Sequence, residues 1–140
     1  MIRQCMAALV AALAAVACSA ASSDKPDNIA AVGDIHDRKS AQEVVVEGTV
    51  ESVLPNSRTA AGDHQNFIIN LSTGEGEQQL ILVSHNIDIA PTAPLKVGDD
   101  VVIKGELALD RKGPVIHWTH HDPRLRHQPG FIRVGGATYE

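Results

Sequence analysis

The chain of 140 residues is poor in cysteine and in aromatic residues. Its cysteines are Cys5 and Cys18, so a chain that has lost an N-terminal leader keeps at most one and can form no internal disulfide. The hydrophobic core alone must then hold the fold, and about 120 residues suffice for one domain. Aromatic side chains make up 3% of the sequence. A single-stranded nucleic-acid site needs exposed rings for stacking, and few are available here.

Positive charge is also scarce. The sequence has 12 lysines and arginines against 17 aspartates and glutamates, a net charge of −5, and loss of Arg3 with a leader makes the mature chain more negative by one. This balance repels phosphate backbones, so we expect no nucleic-acid partner. Histidine is abundant instead, and most of the seven residues lie from His85 onward. The net charge therefore rises as the pH falls through about 6.

Residues 1–18 have the pattern of a signal peptide. Arg3 precedes an apolar run that extends from Cys5 to Cys18, and polar residues follow. The run is shorter than the roughly 20 apolar residues that span a bilayer, which argues against a permanent transmembrane helix. We therefore predict an exported protein of the bacterial periplasm or outer membrane, or a secreted one.

The sequence Ala15-Val16-Ala17-Cys18 is similar to a bacterial lipobox, although Ala15 stands where leucine is usual. Acylation of Cys18 would make the protein a lipoprotein held on the membrane by its anchor. Ordinary cleavage after Ala17 or Ala20 would instead release a soluble chain, and both alternatives remain open. Residues 19–40 are polar, with little apolar periodicity, and are predicted to be a flexible tether to a domain over residues 41–140.

Five β-strands and a C-terminal hairpin are predicted in that domain. The strands cover residues 43–54, 67–71, 79–83, 101–109 and 115–118. Prolines within residues 87–95 argue against a long helix there. Gly135-Gly136 predicts the turn of a hairpin that joins residues 131–134 to 137–139. The predicted fold class is all-β, a small five-stranded OB-like Greek-key barrel with a C-terminal β-hairpin, and a β-sandwich is the alternative.

One histidine-rich string identifies a family. Residues 117–124 read His-Trp-Thr-His-His-Asp-Pro-Arg, and His127 and the closing hairpin follow. Upstream, the sequence contains His64-Gln65, His-Asn-Ile-Asp at residues 85–88 and Leu-Lys-Val-Gly-Asp at residues 95–99. With these motifs, residues 64–139 resemble a family of exported bacterial proteins described as domain of unknown function 3465, with Phe131 where tryptophan is expected. The resemblance implies an exported OB-like domain and no particular activity.

The loops of an OB-like barrel suggest a first candidate site. In that fold, the loops that bound the ligand face carry polar groups, and we expect several of them to meet at one rim. The candidate ligand-binding residues are Arg58, Asp63, His64, His85, Asn86, Arg111, Lys112 and His117. The leading hypothesis is a non-enzymatic envelope binding module for a small polar ligand, a glycan or a protein partner. The alternative is that the rim is merely solvated.

The histidine-rich string suggests a second candidate site, for a divalent transition metal. Imidazole and carboxylate are its ligands, and the candidate residues are His117, His120, His121, Asp122 and His127. Such a site would make the protein a metal-dependent hydrolase, acting for example on phosphodiesters. Side chains four residues apart on a strand stand about 13 Å apart, so the chain would have to fold back near Pro123. The structural alternative is that Trp118 fills the core and Asp122 caps a turn.

Overall fold

The computed structural model describes residues 24–140. The predicted signal peptide, residues 1–18, and the candidate acylation site Cys18 lie outside these residues. The described part has one helix and eight strands: α1 (Asn28–His36), β1 (Gln42–Val53), β2 (Ser57–Thr59), β3 (Gly62–Ser72), β4 (Gln78–Asn86), β5 (Asp100–Asp110), β6 (Gly113–His117), β7 (Phe131–Val134) and β8 (Ala137–Tyr139). No helix within residues 24–140 is long and apolar enough to cross a membrane.

Five of these strands close into a barrel. The strand β3 pairs antiparallel with β1 and with β4, β4 runs parallel to β6, and β5 lies antiparallel to both β6 and β1. The β1–β5 pairing closes the sheet on itself. This order is that of an OB-fold, which confirms the predicted Greek-key barrel. The predicted C-terminal hairpin is β7–β8, and it pairs with the first half of β5.

The inward-facing residues of the strands form the core. The largest fully buried apolar side chains are Val46, Val50, Phe67, Ile69, Leu71, Ile81, Val83, Ile103, Leu107, Ile116 and Ile132. Each contributes roughly 1.5–3 kcal/mol by leaving water, before the entropy cost of ordering the chain. Gly48 lies where β1 changes partner from β5 to β3, and a Cβ there would stand 2.6 Å from the carbonyl oxygen of Asn70. Glycine is therefore required where the two backbones approach.

The prediction of a flexible tether over residues 19–40 is wrong for residues 28–36, which form α1. Asp27 caps the helix by accepting a hydrogen bond of 2.9 Å from the backbone N–H of Ala30. Ala31 and Val32 pack into the core and are 1% and 3% exposed. Two buried residues are too few to create a visible apolar periodicity in the sequence.

The helix is held by the edge of β1. The side-chain NH₂ of Asn28 donates to the backbone carbonyl of Glu47 at 2.8 Å, and its side-chain oxygen accepts from the backbone N–H of Glu47 at 3.0 Å. The backbone N–H of Asp27 donates to the carbonyl of Val45 at 2.8 Å. Pairing of β1 with β3 begins only at Thr49, so these contacts cover the part of β1 that β3 does not reach. The helix is therefore stabilised by contacts with the barrel, and no local sequence pattern predicts those contacts.

Candidate functional site

A groove of about 280 Å³ lies at one end of the barrel. It is lined by Ser57, Thr59, Ala61, His64, Ser84, Asn86, His117, Trp118 and His120, and we call it the histidine groove. Three parts of the chain build it: the hairpin of β2 with the start of β3, the end of β4, and the end of β6 with the segment that follows it.

The end of β4 fixes the β2–β3 hairpin. The side-chain amide of Asn86 donates to the carbonyl of Ala61 at 3.2 Å. The carboxylate of Asp88 accepts from the backbone N–H of Asp63 at 2.9 Å. Gly62 has φ +117°, and a Cβ there would come within 2.5 Å of the Asp88 carboxylate. Glycine thus allows the hairpin to pack against the end of β4 and form the first wall of the groove.

His85 supports the groove from behind and is fully buried. Its Nε2 lies 3.1 Å from the carbonyl oxygen of Pro91 and its Nδ1 lies 2.8 Å from the hydroxyl of Thr119. A carbonyl can only accept, so Nε2 carries the proton and Nδ1 accepts from the hydroxyl. Burial lowers the pKa of His85, which keeps the ring neutral at pH 7. His85 therefore joins β4 to two loops and does not line the groove.

The groove imidazoles present acceptors. Nδ1 of His64 lies 3.1 Å from the carbonyl of Gly62, and Nδ1 of His120 lies 2.6 Å from the carbonyl of His121. A carbonyl oxygen only accepts, so Nδ1–H donates in both rings, and the Nδ1–H tautomer leaves Nε2 as an acceptor. Burial is the largest cause that lowers the pKa of His117 and of His120, and nearby His64 lowers both further. Both rings are therefore neutral at pH 7.

Trp118 forms a wall of the groove. The expectation that Trp118 fills the core is wrong, because β6 ends at His117 and the next residue turns out of the barrel with φ +56°. The indole ring stacks on His127, with centroids 3.5 Å apart and planes inclined by 16°, and it lies 5.7 Å from the ring of His120. A left-handed backbone costs a residue other than glycine about 1 kcal/mol, which the ring contacts offset.

Asp122 caps the turn after Trp118, as the structural alternative predicted. Its carboxylate accepts from the backbone N–H groups of Arg124 at 2.8 Å, Arg126 at 2.6 Å and His127 at 2.9 Å. These hydrogen bonds, that of Arg124 foremost, lower the pKa of Asp122 below its usual 3.8. Both oxygens of this carboxylate accept hydrogen bonds from the backbone of its own loop.

Replacement of Asp122 by asparagine is expected to loosen this loop. At pH 7 the variant should unfold several degrees below the wild type, because an amide NH₂ then faces backbone donors. A depressed carboxyl pKa contributes stability above pH 3.8 that is lost as the pH falls through the folded value, so the two proteins should converge when the pH is lowered below 3.8. Thermal unfolding followed by circular dichroism at both pH values measures this. Equal melting temperatures at pH 7 would contradict the assignment.

The five residues proposed as metal ligands have separate roles. His117 and His120 line the groove, His127 stacks on Trp118, Asp122 caps its loop, and His121 is exposed. No group of three or more histidine, cysteine, aspartate or glutamate side chains in residues 24–140 is placed to hold an ion. The structure therefore does not bring the predicted ligand set together.

The predicted rim residues fall into two groups. His64, Asn86 and His117 meet in the groove, whereas the remaining five do not line it. Arg58 and Asp63 lie on the β2–β3 hairpin and form a bidentate ion pair with both N–O distances at 2.7 Å.

Arg111 and Lys112 lie at the opposite end of the barrel, so the expectation of one shared rim is wrong for these two residues. The register places Ile116 of β6 level with Val83 of β4, and the turn before β6 is then level with the start of β4. At about 3.3 Å per residue, this turn is roughly 20 Å along the strand from His85.

Several groove residues were not predicted from the sequence. Ser57, Thr59 and Ala61 belong to β2 and its turn, which lie between the predicted strands over residues 43–54 and 67–71. Gly62 after Ala60-Ala61 was the one available sign of a tight hairpin. No local pattern marks Ser84 as a groove residue. The backbone turn at Trp118 depends on tertiary contacts alone.

The fold and the groove define a class: a small OB-fold protein with a groove lined by three imidazole rings at one end of its barrel. The chain belongs to the family described as Protein of unknown function (DUF3465), which matches residues 10–140. The match confirms the resemblance found in the motifs and extends it beyond residues 64–139.

Two further comparisons concern solved structures and curated proteins. Among solved structures, the chain is similar to a small single-stranded DNA-binding protein from Streptomyces coelicolor, with 21% sequence identity, a TM-score of 0.48 and coverage of 55% of this chain and 85% of that one. Among curated proteins, none matches the chain in sequence.

Proposed function

We propose that the protein is an exported, non-enzymatic binding module whose histidine groove takes a neutral carbohydrate. The observation that carries the proposal is the composition of the groove. Imidazole, indole, hydroxyl and amide groups line it, and among its described lining residues there is no lysine, arginine or carboxylate. The groove also adjoins the ends of β3 and β4, the strands that correspond to the ligand face of OB-folds.

The groove chemistry suits sugar hydroxyls. In the Nδ1–H tautomer, the Nε2 atoms of His64 and His120 can accept hydrogen bonds from a ligand, and the hydroxyls of Ser57, Thr59 and Ser84 can both donate and accept. The indole of Trp118 adds a rigid apolar surface against which a sugar ring can pack. A few polar groups at fixed positions on an apolar wall are typical of small-molecule sites.

Two other classes of function find less support. A phosphate-rich ligand would need cations, but the groove presents neutral imidazoles and the whole chain is acidic. A metal-dependent hydrolase would need Asp122 and His127 as ligands, and both are committed to other contacts. Binding without catalysis is therefore the function that we infer from the groove.

Export through acylation of Cys18 is part of the proposal and rests on the leader pattern of residues 1–18. Mass spectrometry of the mature N-terminus tests it. A diacylated Cys18 would support the anchor, and an unmodified N-terminus at Cys18 or Ala21 would show a soluble secreted protein instead.

Ligand binding can be followed through Trp118, the single tryptophan of the sequence. Titration with oligomers of N-acetylglucosamine is expected to shift its fluorescence emission. His64→Ala should weaken binding about 5- to 10-fold, since a hydrogen bond to a ligand contributes about 1 kcal/mol. Thr138→Ala, on β8 and outside the groove lining, is the matched control and should bind as the wild type does.

The same titration discriminates among ligand classes. An oligothymidine that binds where the sugar does not would overturn the carbohydrate assignment. An unchanged emission with every neutral oligosaccharide tested, or equal affinities of His64→Ala and wild type, would also contradict the proposal.

A further inference from the structure

A loop at residues 123–129 projects from the same end of the barrel, and its tip reads Arg124-Leu125-Arg126. All three tip residues are exposed, and Leu125 is 91% exposed, more than any other large apolar side chain of the described residues. We call residues 123–129 the Arg-Leu-Arg loop. The tip thus places one apolar side chain in water between two cations.

The fold holds this tip in place. The backbone N–H groups of Arg124 and Arg126 are bound by the Asp122 carboxylate, and the N–H of Leu125 donates to the Asp122 carbonyl at 3.0 Å. At the loop's end, the N–H of Gly130 donates to the carbonyl of His120 at 2.9 Å. Leu125 has φ +53°, a left-handed conformation that leucine rarely adopts. The loop thus presents an apolar side chain outward on a rigid turn.

The described chain begins beside this loop. The Asp24 carboxylate lies 3.1 Å from the Lys104 ammonium, and Lys104 lines the same small cavity as Arg126 and His127. Between Cys18 and Asp24 there are only five residues, a reach of at most about 20 Å. A lipid on Cys18 would therefore keep this side of the barrel close to the membrane.

We propose that the Arg-Leu-Arg loop is a membrane-contact site that rests on an anionic phospholipid surface, with Leu125 inserted among the acyl chains and the two arginines on lipid phosphates. Each arginine near an anionic surface contributes attraction, so the tip would add to the attachment that a lipid on Cys18 provides. The exposed tip carries one apolar side chain, Leu125, between two cations, and an anionic lipid surface complements both features. This inference rests on the proposed export of the protein.

The test uses the chain from Cys18 to Glu140 without acylation, which contains every described contact of the fold. Its partition onto vesicles of equal parts phosphatidylglycerol and phosphatidylcholine is compared with vesicles of phosphatidylcholine alone. We expect partition onto the anionic vesicles that weakens as salt rises. Arg124→Gln with Arg126→Gln should lower it about 30-fold, and Leu125→Asn about tenfold, because asparagine tolerates the left-handed backbone.

Arg111→Gln with Lys112→Gln is the matched control, since it removes the same charge at the opposite end of the barrel and should partition as the wild type does. Circular dichroism checks that each variant is folded. The proposal is overturned if the wild type ignores anionic vesicles, if both double variants lose partition equally, or if the loop binds polyglutamate in place of lipid. If the loop binds vesicles but the native N-terminus is unmodified, the loop assignment holds and the lipid anchor is refuted. If Cys18 is diacylated but partition does not depend on the loop, the anchor holds and the loop assignment is refuted.

Discussion

Lowering the pH from about 7.5 to about 5.5 is expected to reduce the free energy of unfolding by up to about 4 kcal/mol. Burial lowers the pKa of His85, His117 and His120 in the folded protein from 6.5, the value expected of the unfolded chain. The contribution of these three neutral histidines to the free energy of unfolding is thus fully present above pH 6.5. It is lost as the pH falls towards their pKa values in the folded protein. Each proton taken up on unfolding contributes about 1.4 kcal/mol per pH unit at most. Urea unfolding at a series of pH values measures the loss.

His85→Gln separates the contribution of the buried ring. Glutamine is neutral throughout this range and can still hydrogen-bond the loops, so the loss of stability between the two pH values should shrink, by at most about 1.4 kcal/mol. His36→Gln is the control, because His36 is an exposed side chain on α1. A wild-type stability that does not change between about pH 7.5 and about pH 5.5 would show that these rings titrate normally in the folded state.

Replacing Gly130 by alanine is expected to cost about 3 kcal/mol of stability, or to prevent folding. A Cβ at this position would stand 2.0 Å from the carbonyl oxygen of Trp118 and 2.6 Å from that of Lys104. Both obstacles are backbone atoms, which cannot rotate away, so either the Arg-Leu-Arg loop or β5 must shift. Chemical denaturation of the variant measures the effect.

Gly33→Ala serves as the matched control for this substitution. Gly33 lies inside α1 and has no heavy atom within 4 Å of the position of a Cβ. Alanine is about 1 kcal/mol more favourable than glycine within a helix, so the control should be stabilised. Equal effects of the two substitutions would mean that the backbone at Gly130 is not packed as described.

The barrel could be predicted because its main strands and its hairpin turn each have a recognisable local sequence pattern. Apolar residues recur at every second position, Phe67, Ile69 and Leu71 in β3 and Val101, Ile103, Leu107 and Leu109 around Gly105 in β5, and this pattern holds whichever strands become neighbours. The Gly135-Gly136 turn also encodes its hairpin locally, since both residues have positive φ. By contrast, β2 is exposed along its whole length, and such a strand has no apolar alternation that could identify it.

The site could be predicted only in part. Three of its residues, His64, Asn86 and His117, were identified because they lie near strand ends that the topology brings together. Arg111 and Lys112 were misplaced because the strand directions, and hence the end of the barrel at which a turn lies, were not resolved by the sequence pattern. Trp118 was misjudged because a large ring is usually buried, and its left-handed backbone is imposed by contacts with distant residues.

By itself, the sequence determined the all-β class, the strand-rich domain and the family, since these depend on local alternation, turn residues and distinctive motifs. Only the tertiary structure decided which histidines meet, that Asp122 serves its own loop, and that residues 28–36 fold onto β1. The physical reason is that these features arise from hydrogen bonds and burial between segments far apart in the chain, and such contacts leave no periodicity in any one segment.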